Sequence, residues 1–350
     1  LDSYTGSTHP IQADTDVDMG PVTEAELAAA IQTMSPNKAP GPDTIPSEAW
    51  QWLEAHNRSH IQQLLTEIIQ TSTLPTAWRH ALVVEIHKGK GTYSLPQNYR
   101  PISLLNTAYK LLARILHARL EQALDKHLRP TQDGFRKGCS TSQPIHIVRR
   151  ALERAERKGD ALYALFLDWE KAFDKIHPQA LLMSLRRYGI PDKFIDLIAQ
   201  IYTDPTFQVR AAGRISSTCT SASGIRQGCP LSPYLFLVVH SAIMHDVDQE
   251  LLKDGQQLPW LFSQHTPFYD LAYADDTALL AKTAERTSQL LQSVEDTAKQ
   301  YSLHLNRDKC VLLRSASAKH TVHYADGTEL PPATTAKYLG VILTPVSYTH

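Results

Sequence analysis

Three features of the sequence predict an α+β fold. Residues 161–167, ALYALFL, are an almost wholly apolar run of strand length that ends in Asp168. Residues 268–281 alternate through Tyr269, Leu271 and Tyr273, break at Asp275 and Asp276, and resume with Ala278 and Leu280. That is the pattern of a hairpin carrying two acids at its tip. Helical segments lie between these strands without a steady strand–helix–strand rhythm, which favours an antiparallel sheet backed by helices over a doubly wound parallel one.

Taken in order, residues 1–20 are polar and acidic without periodicity and read as a disordered lead. A helix is predicted from Thr23, with Glu26 closing a capping box and Leu27, Ile31 and Met34 on the inner side. The stretch 35–46, rich in proline, is a loop, and a second helix is predicted over 47–71, ending before Pro75. Residues 81–87 form a short strand, followed by the turn Lys88-Gly89-Lys90-Gly91. From Asn106, Leu112, Leu116, Leu120 and Leu124 recur every four residues on one helix face, leaving Lys110 and Arg114 on another, open to solvent or phosphate. Leu181, Leu182, Leu185 and Tyr188 mark an amphipathic helix closed by Gly189 and Pro191. A small hairpin is predicted from 207–210 and 215–220, a buried helix over 233–244, a helix over 283–302, a strand pair over 303–313, and a last strand over 338–343.

The chain has 350 residues, enough for two or three folding units, since single cores rarely grow past ~250–300 residues. It begins at Leu1 and reads as a piece of something longer. Cys139, Cys219, Cys229 and Cys310 are scattered, with no CxxC pair and no zinc spacing among the 16 histidines. An intracellular, reducing setting is expected, nuclear or cytoplasmic. No membrane span is expected, because the longest apolar stretch, 231–244, contains Ser232, Pro233, His240 and Ser241 and falls short of ~18 apolar residues. The net charge of −1 conceals a gradient: residues 1–54 sum to −8 and residues 79–137 to +7. A basic stretch attracts phosphates by releasing their counterions, although an isolated charge cluster is more often a solvated face.

Asp168, Asp275 and Asp276 stand at the ends of strands that should be buried. If those strands are neighbours the acids meet, and like charges ~4 Å apart repel by ~4 kcal/mol at an effective dielectric of ~20. Protonation or a divalent cation would relieve this. Oxygen-only ligands point to Mg²⁺ or Mn²⁺, and a carboxylate-held pair of ions suits phosphoryl transfer.

Eight blocks then run in one order along the chain: NKAPGPDTIPSEAW from Asn37, YRPISLLNTAYKLLARIL from Tyr99, QDGFRKGCST from Gln132, FLDWEKAFD from Phe166, GIRQGCPLSPYLF from Gly224, YADD from Tyr273, LNRDKC from Leu305 and KYLG from Lys337. In these blocks the chain resembles the reverse-transcriptase domain of non-LTR (LINE-type) retrotransposons. The first and third blocks favour that branch over retroviral enzymes and are shared in part with group II intron proteins. The resemblance implies a right-hand polymerase with fingers and palm, its thumb largely missing, that transfers dNTPs onto a DNA 3′ end along an RNA template. It implies two Mg²⁺ (or Mn²⁺) ions held by Asp168, Asp275 and Asp276. Phe173 would be the steric gate that excludes a 2′-hydroxyl, and Gln227 and Gly228 the pair placed against the incoming nucleotide and template. Arg100, with Lys88 as companion, would contact the triphosphate; an arginine fork suits phosphate oxygens. Lys110, Arg114, Arg136 and Lys137 would line the template path, Lys309 would protonate the departing pyrophosphate, and Tyr338, Leu339 and Gly340 would form the primer grip.

The resemblance further implies 21–71 as an N-terminal extension, 72–160 as fingers, 161–190 and 223–315 as palm, 191–222 as an excursion, and 316–350 as the primer grip and the start of a thumb. Without a thumb, metal and nucleotide binding with poor primer extension is expected. RNA template, DNA primer or target and dNTPs are the expected partners; the oligomeric state is not legible. A catalytically silent nucleic-acid-binding scaffold of the same fold and a group II intron-type enzyme remain the alternatives. A silent relative should have eroded acids, whereas all three are present. An RNA-dependent RNA polymerase would show GDD and a small gate, where this chain has Ala274 and Phe173. Gly89-Lys90-Gly91-Thr92 lacks the spacing of a P-loop.

Overall fold

The computed structural model describes residues 4–12, 14–53, 55–253 and 268–345. In chain order the elements are α1 (Glu24–Gln32), α2 (Ser47–Gln51), α3 (Ala55–Thr71), β1 (His80–His87), β2 (Tyr99–Leu104), α4 (Thr107–Leu124), α5 (Ser142–Lys158) and β3 (Tyr163–Leu167). There follow α6 (Ala172–Lys175), α7 (Pro178–Arg187), α8 (Asp192–Tyr202), β4 (Thr206–Ala211), β5 (Arg214–Ile215), β6 (Cys219–Thr220) and α9 (Ser232–Lys253). The last are β7 (Asp270–Tyr273), β8 (Asp276–Ala281), α10 (Ala284–Lys299), β9 (Val311–Arg314), β10 (Val322–His323), β11 (Glu329–Leu330), β12 (Ala336–Tyr338) and β13 (Val341–Leu343). The chain divides into two compact units, one of residues 8–127 and 176–236, the other of residues 1–7, 128–175 and 237–350. The acid-bearing unit thus takes in 128–160 and 316–350 beside the expected palm segments, and 176–190 and 223–236 fall in the other unit.

In the first of these units the sheet order is β2–β1–β4–β5, with β6 also on β4. Its one parallel pair is β1 with β4; the other pairings are antiparallel. β2 lies at an edge, which is where Pro101 can be tolerated, because an edge strand need not donate on its outer side. The leucines of α4 spaced by four are fully buried, and α1 packs on α4. Thr23 and Glu26 form the expected capping box. Glu26 also receives the Arg119 guanidinium at 2.6 and 3.0 Å, and that arginine donates its remaining hydrogens to the carbonyls of Asp18, Gly20 and Pro21.

Several expectations are corrected here. The lead is not disordered over its described part. The Ile11 and Gln12 amides donate to the Arg187 carbonyl, the Thr15 amide to Gly189, and the Thr15 hydroxyl to Tyr188 at 2.6 Å. The polar lead thus satisfies carbonyls that α7 leaves open at its C-terminus. The 47–71 helix is interrupted after Gln51. The 303–313 pair is one strand, β9, entered through a 3₁₀ turn at Arg307–Lys309. The last strand is a hairpin, β12–β13, turning at Leu339 (φ +49°) and Gly340 (φ +86°), the double positive φ of a tight two-residue turn.

The acid-bearing unit is built on a four-stranded sheet of order β7–β8–β3–β9, antiparallel throughout. α10 packs on β8 and β3, and α5 against β7. One face of the sheet contributes Phe166, Leu271, Leu280 and Leu313 to a core shared with Val148 and Leu152 of α5 and with Tyr338 and Leu343. Every residue of β3 is buried, so both its faces are covered, as its unbroken apolar run required. The four cysteines are free. Among the described residues, no helix is long and apolar enough to cross a membrane.

The Arg119 pair makes a stability prediction. Its hydrogen bond to Arg119 lowers the Glu26 carboxyl from 4.5 to about 2, against the opposing effect of burial. A carboxyl depressed in the fold stabilises it above its unfolded value, and that contribution is lost as pH falls toward the folded value. Glu26→Gln should therefore lower stability near neutral pH by about 2–4 kcal/mol in urea unfolding, since it strands a buried guanidinium. The difference from the parent should shrink between about pH 4.5 and 2.

Candidate active site

β3 ends at Leu167, which stands opposite Thr277 of β8. Asp168 directly follows this pair on β3 and Asp276 directly precedes it on β8, and the charge of Asp168 is felt at Asp276. β7 and β8 are joined by a two-residue turn, Ala274-Asp275, with Tyr273 paired to Asp276. The three acids therefore share one end of the sheet. Ala274 has φ +57°, a conformation that a Cβ disfavours by about 1–2 kcal/mol. The turn is supported from the side by residues 131–134, which run beside β7: the Ala272 amide donates to Thr131 at 2.9 Å and the Asp133 amide to Ala272 at 2.8 Å. Gly134 fits here because a Cβ would lie 2.0 Å from the Ala274 nitrogen. At the other end of β7, Arg129 forks onto buried Asp270 (2.7 Å to each oxygen) and onto Asp248 (2.7 and 3.2 Å). Burial alone would raise the Asp270 carboxyl, yet Arg129 holds it below its ordinary value.

Electrostatics at the acid end run the other way. Asp276 is pushed up from 3.8 to about 6, first by partial desolvation of its carboxyl, although the residue as a whole is exposed, and then by the like charges of Asp275 and Asp168. Lys309 places Nζ 3.5 Å from Asp168 Oδ2, both side chains well exposed, so this pair offsets little of the repulsion. Among the described residues no three His, Cys, Asp or Glu side chains form a ready-made metal-ligand group. The donor chemistry nevertheless fits a hard divalent cation: three neighbouring carboxylates supply oxygen ligands and negative charge.

The other expected site residues fall as follows. Phe173 lies in α6, half-buried, five residues past Asp168. Lys137 is exposed. Arg136, expected along a template path, donates to the carbonyls of Arg129 and Gln132 at 3.2 and 3.1 Å, bracing residues 129–134 instead of standing free. Tyr338 is buried against Phe166, ring centroids 5.0 Å apart. It is a core residue, and Leu339 and Gly340 are the accessible part of that turn. In the other unit, Arg100 is exposed on β2 opposite Ile86, and the exposed Lys88 donates to the Gln97 carbonyl. Gln227 and Gly228 sit against the same strand: the Ser103 amide donates to Gln227 at 2.7 Å, and a Cβ on Gly228 (φ +111°) would lie 2.5 Å from the Ser103 oxygen. Lys110 and Arg114 are half-buried rather than openly presented; burial lowers both, and Arg114 Nε is buried without a hydrogen-bond partner.

Residues that sequence reasoning missed are Gln132, His240 and Thr277, which lie beneath the acid turn. The visible signal was His240 within the otherwise apolar run 234–239 and 242–244.

The family model for reverse transcriptase (RNA-dependent DNA polymerase) matches residues 86–343. The chain is 30% identical over 340 residues to the transposon TX1 uncharacterized 149 kDa protein of Xenopus laevis, covering 94% of this chain and 25% of that protein. It is 29% identical over 306 residues to the RNA-directed DNA polymerase from mobile element jockey of Drosophila melanogaster, covering 83% of this chain and 31% of that one. The chain thus spans about a quarter to a third of the length of these relatives. Its fold is similar to apo telomerase from Candida tropicalis truncated from the C-terminal domain, with a TM-score of 0.50 at 12% identity, over 82% of this chain and 59% of that one.

The raised Asp276 carboxyl sets a pH dependence. A carboxyl raised in the fold favours its protonated form there, so the destabilisation is absent below the unfolded value and full above the folded one. In EDTA, Asp276→Asn should raise the thermal midpoint above about pH 6 and leave it unchanged near 3.8. Millimolar Mg²⁺ should raise the parent's midpoint near neutral pH more than the variant's, because a ligand of the folded state stabilises in proportion to its binding.

Proposed function

We propose, on the premise that the chain belongs to the reverse transcriptase family and to its non-LTR retrotransposon branch, that it carries out RNA-templated DNA synthesis. The observation that carries the reading is the convergence of Asp168, Asp275 and Asp276 on one end of a buried antiparallel sheet, with Asp276 pushed up by partial desolvation and by the charges of the other two. Enzymes of this family use divalent metal ions. Two such ions, Mg²⁺ or Mn²⁺, held by these carboxylates would supply positive charge to the attacking and leaving oxygens. In the reaction a DNA 3′-oxygen bonds to the α-phosphorus of a dNTP, the bond to pyrophosphate breaks, and the 3′-hydroxyl proton is lost.

The chain's own side chains would bind and orient the substrates. The Phe173 ring would occupy the space that a ribose 2′-hydroxyl needs. Arg100, with Lys88, would engage triphosphate oxygens, and Gln227 would contact the incoming nucleotide or the template base where Gly228 permits close backbone approach. The half-buried Lys110 and Arg114, the latter with an unused N–H, suit phosphodiester contacts, as does the exposed Lys137. Lys309, whose Nζ lies 3.5 Å from Asp168 Oδ2, would hold a proton for the departing pyrophosphate.

Primer extension on poly(rA) with dTTP and Mg²⁺ tests the reading. The parent chain should incorporate nucleotide and Asp275→Asn should not; inertness of both would favour the silent scaffold. Phe173→Val should raise the ratio of rNTP to dNTP incorporation, as kcat/KM, by about 10–200-fold, the range expected for a changed apolar contact. An unchanged ratio removes Phe173 as the gate.

A further inference from the structure

Gln132 is fully buried and uses its whole hydrogen-bonding capacity. Its Oε1 accepts the Ala274 amide at 2.8 Å and the Gly134 amide at 3.0 Å. Its Nε2 donates to the Ala274 carbonyl at 3.0 Å and lies 3.3 Å from His240 Nδ1. A carboxamide offers two donors and two acceptor sites, and all four are taken.

Every proton further along is then determined. His240 Nδ1 must accept, so its proton sits on Nε2, which faces the Thr277 hydroxyl at 3.2 Å. Trp169 Nε1 can only donate, and it too meets that hydroxyl, at 3.3 Å. With both lone pairs engaged, the Thr277 proton points to the Asp275 carbonyl, 3.4 Å away. Burial, which holds His240 down at about 4, keeps the ring in the neutral form this pattern requires. The residues so tied are the immediate neighbours of the acids: Ala274 precedes Asp275, Thr277 follows Asp276, and Trp169 follows Asp168.

We propose that Gln132, acting through Ala274, His240 and Thr277, is a positioning residue that sets the mutual placement of Asp168, Asp275 and Asp276 for metal binding. The proposal rests on the reading of those acids as the metal-holding group. In a low-dielectric interior a network satisfied in one arrangement is costly to leave, which is what fixes a turn strained at Ala274.

The test uses the full chain with Gln132→Glu, which exchanges two donors for acceptors at constant shape, Thr277→Val, which removes the hydroxyl, and Thr277→Ser, which keeps it. Binding of Mn²⁺ alone is followed by electron paramagnetic resonance, and primer extension gives kcat and KM. Gln132→Glu and Thr277→Val should weaken Mn²⁺ binding and lower kcat by about 10–100-fold, the usual effect of losing a group that orients metal ligands. KM for dNTP should stay within about twofold, and Thr277→Ser should stay near the parent in both. A purely structural role would lower the melting temperature while leaving Mn²⁺ affinity and the kcat of folded protein unchanged, and that result overturns the proposal. Should Gln132→Glu fail to fold, the contrast between Thr277→Val and Thr277→Ser decides. If the parent makes no DNA, the polymerase reading falls, while the Mn²⁺ titration still decides the placement: weaker binding by Gln132→Glu upholds it, and unchanged binding, or a parent that binds no Mn²⁺, overturns it.

Discussion

Carboxylates gathered at one end of a buried sheet repel one another, and the acid-bearing unit is arranged to hold them there. Like charges held close together oppose folding, the more so where they are partly desolvated. The Asp276 carboxyl is raised there, first by partial desolvation and then by the charges of Asp275 and Asp168. Lys309 is too exposed to offset the repulsion, so the placement depends on backbone. β3 is buried along its whole length, the β7–β8 turn is closed by two residues, and residues 131–134 lie along the outer side of β7. Strain at Ala274 persists because these surroundings leave it no alternative.

The two ends of β7 are held by different chemistry. At its start, Asp270 is fully buried and is matched by a forked arginine that also takes Asp248. A buried carboxylate without that partner would be strongly destabilising, and Arg129 offsets the charge of Asp270 on a strand whose other end leads to Asp275 and Asp276. At the turn the ties are neutral: a carboxamide, an uncharged imidazole, an indole N–H and a hydroxyl. A cation placed there would draw the carboxylates toward itself and compete with a divalent ion for them. The arrangement thus buries its arginine–aspartate pairs away from the acids, sets uncharged hydrogen bonds beneath their turn, and leaves the exposed Lys309 in reach of Asp168.

What could be read from the sequence follows from range. Asp168 and the Asp275–Asp276 pair were legible because each interrupts an apolar run, and an acid at the end of a buried strand needs a reason. The capping box at Thr23 was legible because it is a contact over three residues. Gln132 was not, although it lies within a recognisable block: its partners are 108 and 142 residues away, and nothing local marks a glutamine as buried. β2 was missed because Pro101 argues against a strand unless the strand is known to be an edge. The burial of Tyr338 was not legible from its block; it follows from alternation along β12, which turns the ring toward Phe166 and the core.

The basic stretch 79–137 shows how far charge counting can mislead. Arg119 is consumed by Glu26 and three carbonyls, Arg129 by two aspartates, and Arg136 by carbonyls of its own loop. These arginines shape the protein, and the excess of +7 overstates what a polyanion would meet. The cations that remain differ in kind. Lys88, Arg100 and Lys137 are exposed, so their attraction for phosphate is long-ranged and screened by salt. Lys110 and Arg114 are half-buried and already partly stripped of water, which lowers both. A phosphate meeting them would find less solvent to displace and an Arg114 N–H with no partner, so the contact would be stronger and less sensitive to salt. Burial thus sorts the basic residues into those whose charge is fully solvated and those already partly stripped of water.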